Sequence, residues 1–146
     1  MNANQALQPQ TSLFATAEEV RAALERSAPR PSKPFDVDAL RILVEEGDFE
    51  VSELVDLFVA SAPTSIFEMR LALEKSNLEH LVIIAHTLKG TCGNFGAAPL
   101  RELCALIEKA SLSGDTHRSA ELIVSAEREL DCLIDALESY RDLAAP

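Results

Sequence analysis

His86 is followed by Lys89 three residues on, by Gly90 four on and by Gly93 seven on. A helix turns roughly 100° per residue, so these spacings gather the four residues on and beside one face. Leu81, Ala85, Leu88, Cys92 and Phe95 fall in a separate narrow arc, which is the face that must be buried. The imidazole is therefore expected to point to solvent. Each glycine costs about 1 kcal/mol relative to alanine inside a helix. Neither sits on the packed side, so close helix–helix approach does not account for them. Bare positions flanking an imidazole clear a flat approach for something large, such as another protein's active site. Lys89 places a cation beside whatever the ring carries. The chemistry that uses this set is nucleophilic: an imidazole nitrogen that accepts a phosphoryl group. A surface histidine alone would carry no such implication; the combination does.

The elements that must hold this face are all helical. From Phe35 onward the apolar period is three to four residues, with no alternating strand pattern. Asp36 is placed to cap a short helix ending near Gly47. A long segment from Val51 to Ser76 repeats Leu54, Val55, Phe58, Ala62, Ile66, Met69 and Leu73, with Pro63 expected to kink it. A third runs from Asn77, a candidate cap, to Asn94. Gly96 reads as its stop, and Pro99 as the first residue of the next helix. That fourth helix carries Leu100, Leu103, Cys104 and Ile107 and ends at Ser113-Gly114. A fifth, near Thr116 to Tyr140, is expected to bury Ile123, Leu130, Ile134 and Leu137. The fold class is all-α: an antiparallel four-helix bundle with an additional short N-terminal helix or helices.

Charge and proline divide the chain near residue 34. Residues 1–34 hold four basic and three acidic residues, and the remainder nine basic and 21 acidic. Pro29, Pro31 and Pro34 give linker chemistry, and Thr16 with Glu19 reads as a capping box for a short helix over 17–27. The expected organisation is an N-terminal extension over 1–34 and a bundle over 35–146.

The formal net charge is −11, which repels nucleic-acid phosphates and anionic membrane surfaces alike. No apolar run approaches the roughly 20 residues needed to cross a bilayer, and the N-terminus lacks the pattern of a secretory leader. Cys92, Cys104 and Cys132 form no CxxC pair, as expected of reduced thiols in the cytoplasm. Cys92 and Cys104 fall on core stripes. His80, His86 and His117 share no ligand spacing, so no metal site is expected. Glu79 and Ile83 lie on the His86 side, two turns and one turn before it respectively, as a candidate docking rim.

The stretch His86, Leu88, Lys89, Gly90, Cys92, Gly93, Gly96 resembles the signature of histidine-phosphotransfer domains, including the related first domain of chemotaxis kinases. Leu100, Leu103, Cys104, Ile107 and Glu108 are similar to the helix that follows in that family. Thr91 departs from the commoner Ser or Ala. The resemblance covers about residues 35–141. It implies that His86 is the phosphoacceptor, that Lys89 stabilises the phosphoryl oxygens, and that Gly90 and Gly93 admit the receiver domain of a response regulator. The receiver would bring the aspartate and Mg²⁺, so no cofactor is expected on this chain. It would be a phosphoryl carrier without ATP chemistry, monomeric, served by receivers and by a hybrid or chemotaxis-type histidine kinase. Two other readings fit the same residues: a non-catalytic receiver-binding adaptor, and a detached kinase-substrate domain phosphorylated in trans.

Overall fold

The computed structural model describes residues 33–144. The expected helix over 17–27 lies outside them. Five helices follow in order: α1 (Val37–Gly47), α2 (Val51–Glu74), α3 (Leu78–Asn94), α4 (Ala98–Leu112) and α5 (Thr116–Ala144). The described residues contain no strand. Each of the four long helices packs on two neighbours, in a ring α2–α3–α4–α5 that closes back on α2. The short α1 lies across one end, against α3. No described helix is long and apolar enough to cross a membrane.

Local chemistry sets the boundaries. The Asp36 carboxylate accepts from the Asp38 amide at 2.9 Å and opens α1. Asp48, in the left-handed region at φ 57°, closes it. The Glu53 carboxylate accepts from the Glu50 amide at 2.9 Å at the head of α2. Asn77 caps α3 by accepting from the His80 amide at 3.1 Å. Gly96 (φ 64°) and Gly114 (φ 77°) turn the chain into α4 and α5. Pro99 is the second residue of α4, where its missing N–H costs nothing, one place later than expected. α2 ends at Glu74 and α5 runs on to Ala144, beyond the expected Tyr140. Pro63 does not end α2, which continues as one helix through it.

The core is one cluster drawn from all five helices. Phe58 of α2 meets Phe95 at a ring-centroid distance of 5.0 Å, tying α2 to the end of α3. In α5 the largest fully buried side chains are Ile123, Leu133 and Leu137, and Leu130 is buried too, while Ile134 only lines the edge. The buried hydroxyls of Ser111 and Ser119 satisfy each other at 3.3 Å, across the α4–α5 corner.

Gly96 does more than turn the chain. Its carbonyl accepts from the Asp36 amide at 3.0 Å, which fixes the start of α1 on the α3–α4 turn. A Cβ on Gly96 would lie 2.7 Å from Asp36 Cβ and 2.8 Å from Ala39 Cβ. Gly96→Ala should therefore lose about 1–2 kcal/mol in urea unfolding, from the left-handed backbone together with the crowding. An unchanged midpoint would show that the turn tolerates a side chain.

Candidate functional site

α3 buries Leu81, Ala85, Leu88 and Cys92, and Phe95 follows at its end, so the arc read from the sequence is the packed face. Its opposite face is bare. The His86 side chain is 66% exposed. Gly90 has nothing within 4 Å of where a Cβ would be, and Gly93 only the Arg101 side chain at 3.8 Å. Glu79 is exposed, and Ile83 is 61% exposed although it is a large aliphatic residue. The Thr87 and Thr91 hydroxyls turn back on their own helix, donating to the Ile83 and Thr87 carbonyls at 2.9 and 3.2 Å. No side-chain hydroxyl on α3 is thus left aimed at the space around the imidazole.

The contacts across the α3–α4 seam run antiparallel. His86 and Lys89 meet Glu108, while Gly93 meets Arg101. Glu108 is the residue that organises the site. Its Oε1 accepts from Lys89 Nζ at 2.8 Å, and its Oε2 lies 3.1 Å from His86 Nδ1. The Lys89 hydrogen bond, aided by the lysine's charge and by the His86 contact, holds the Glu108 carboxyl below the usual carboxylate range, against the opposing effect of burial. An ionised carboxylate only accepts, so Nδ1 of the neutral ring carries the proton. Nε2 is then the nitrogen with the free lone pair.

Sequence reasoning placed Glu108 in the helix that follows the motif and gave it no role. Its signal was faint: an acid at the edge of the Cys104–Ile107 stripe, 22 residues after His86. Lys89 lies one turn from His86 as expected, yet its ammonium is already engaged by Glu108. Beneath it, Cys92 and Cys104 are fully buried. A hydrogen bond to the Cys92 sulfur and burial push the Cys104 thiol far up, so it is no competing nucleophile.

The site is a surface and not a pocket. A cleft of about 380 Å³, lined by residues that include Lys33, Phe35, Asp36 and Gly96, contains none of these residues. An imidazole on an open face suits a reaction partner that is itself a protein.

Three comparisons bear on this geometry. The model of the Hpt domain family matches residues 53–141. The chain is 24% identical over 114 residues to the phosphorelay intermediate protein rdeA of Dictyostelium discoideum. That match takes in 77% of this chain, which spans 44% of the relative's length. The crystal structure of histidine-containing phosphotransfer protein B from Pseudomonas aeruginosa PAO1 superposes with a TM-score of 0.72 at 28% identity. It covers 82% of this chain and 100% of that one.

The open space at Gly90 has a measurable consequence. Gly90→Ala should raise stability by about 0.5–1 kcal/mol in denaturant unfolding, because it adds helix propensity and meets no neighbour. A loss of stability would assign this glycine to the fold and not to access.

Proposed function

The chain belongs to the Hpt domain family, the histidine-phosphotransfer proteins, and on that footing we propose that it relays a phosphoryl group through Nε2 of His86. The observation that carries this reading is the pairing of Nδ1 with ionised Glu108, on a ring that is two-thirds exposed over bare helix. The donor is the aspartyl phosphate of a receiver domain. The Nε2 lone pair attacks phosphorus, and the bond from phosphorus to the aspartate oxygen breaks, its electron pair staying on the departing carboxylate. No proton needs to move. The ring keeps its Nδ1 proton and becomes cationic, and the adjacent Glu108 carboxylate stabilises that charge. The return transfer retraces these steps.

Lys89 lies on the same carboxylate and is the cation in place to meet the phosphoryl oxygens. Gly90 and Gly93 leave room for the receiver's loops. The receiver contributes Mg²⁺ and the acids that bind it, so this chain needs no cofactor and performs no ATP chemistry. It acts as a monomer in the cytoplasm, between receivers and a hybrid or chemotaxis-type kinase.

His86→Gln should abolish acid-labile, alkali-stable labelling from a phosphorylated receiver while leaving the helical circular dichroism unchanged. Retained stoichiometric labelling of that variant would refute the assignment. A folded wild type that binds receivers without ever taking label would instead make it an adaptor.

Glu108→Gln tests the tautomer. It should slow transfer roughly tenfold and move the His86 proton from Nδ1 toward Nε2 in ¹⁵N-resolved ring spectra. An unchanged tautomer would remove Glu108 from the mechanism. The sign of its pH effect is also fixed. A depressed carboxyl pKa contributes stability that is full above the unfolded value of about 4.3 and is lost as pH falls through the folded value. The stability gap between wild type and Glu108→Gln should therefore shrink between pH 6 and pH 3, measured by urea unfolding.

A further inference from the structure

The face around His86 has an electrostatic character unlike the rest of the chain. Asp and Glu make up 24 of the 146 residues, yet none occurs in the 22 residues from His80 through Arg101. Core packing does not explain this, because nine of those positions are exposed. Across the seam, α4 presents Ala105 and Glu108 to the same face, and Lys89 neutralises Glu108. Arg101 is left as the exposed cation, and among the described residues it forms no ion pair. Glu102, the next residue, turns roughly 100° away around the helix. On a protein of net charge −11, one window has a single carboxylate, paired with Lys89, and carries an unneutralised guanidinium.

The antiparallel register also gives this window two different ends. His86 sits level with Glu108, and Gly93 with Arg101. Arg101 thus stands seven residues from Glu108, about 10 Å along the helix axis. Gly90 and Ala105 lie at intermediate levels, so the ground between the imidazole and the guanidinium is nearly bare. In the other direction, Ile83 is three residues before His86 and Leu112 four after Glu108, about 5–6 Å along each axis. The same register brings these two side chains to one level. They are 61% and 71% exposed. The face therefore has an aliphatic end, a nucleophile in the middle and a cationic end.

We infer that this polarity sets the orientation in which a receiver docks. The inference rests on the phosphotransfer reading above and names the residues that would enforce it. The occupant is a receiver domain carrying acidic side chains on one rim of its phosphorylation site. Arg101 pairs with that rim, and Ile83 with Leu112 packs against an apolar patch on the opposite rim. Carboxylates of this chain would repel such a partner, and the one on this window, Glu108, is held by Lys89. A rim charge acts on encounter and on the discrimination of wrong orientations, while apolar contact holds the complex once formed. Arg101 is thus a specificity-determining residue that never touches the phosphoryl group.

The test measures initial rates of transfer from a receiver of net negative charge, loaded with acetyl phosphate, at ionic strengths from about 0.02 to 0.5 M. Arg101→Glu should raise KM roughly tenfold at low salt with kcat unchanged, and the difference should close at high salt. The double variant Ile83→Ser, Leu112→Ser should raise KM at every salt concentration. A labelled wild type whose KM is indifferent to Arg101→Glu would overturn the orientation inference and leave the phosphotransfer reading standing. A wild type that takes no label at all would overturn both.

Discussion

Cys92 against Cys104, with Leu88 and Ile107 buried alongside, closes α3 onto α4, and the rest of the site depends on that seam. The three-residue turn Phe95–Ala97 leaves the two helices antiparallel. The buried thiols fill the seam without introducing charge. Once the seam is closed, the register is fixed, and with it the reach of Glu108 to both His86 and Lys89. A slip of one residue on α4 would turn Glu108 by roughly 100° and leave the imidazole without an acceptor. The geometry of the exposed site is thus set by the apolar contacts beneath it.

The same helix meets two opposed demands. One side of α3 packs as tightly as any part of the core, and the other has been stripped of bulk. Two glycines lower its intrinsic helicity, and two threonines spend their hydroxyls on their own backbone. Packing of the buried arc holds such a helix in place, so the outer surface is free to serve a partner. The one strong polar constraint on that surface is the Glu108 carboxylate, shared by His86 and Lys89. It sets the ring tautomer and localises the lysine together.

Most of this was legible in the sequence. The three- and four-residue periods give the helices, and the arc Leu81, Ala85, Leu88, Cys92, Phe95 gives the buried side of α3. Both depend on local spacing, which a linear sequence carries directly. The outward direction of His86 follows from the same arithmetic. The part that could not be read depends on pairing between helices. Glu108 is a single acid on a helix that offers Glu102 as well, and only the α3–α4 register picks it out. Arg101 and Leu112 are ordinary surface residues until that register sets them on either side of the imidazole. Pro63, the local signal for a kink, leaves α2 one helix, with Phe58, Ala62 and Ile66 buried on both sides of it in sequence.

The attachment of α1 has a separate consequence. Its 11 residues bury only Leu40, and it is held to the bundle by the Asp36–Gly96 hydrogen bond, with the Phe35–Tyr140 edge contact just before it. Beyond Leu40, only the partly buried Leu43 and Val44 add apolar contact with the core, so little apolar surface anchors it. Such a segment opens on its own, well below the free energy that unfolds α2 to α5. Amide hydrogen exchange would then proceed at two rates in one chain. α1 would exchange by local detachment, and the seam under His86 only when the whole bundle opens. His86 stands on the slow-exchanging part, insulated from the opening of α1.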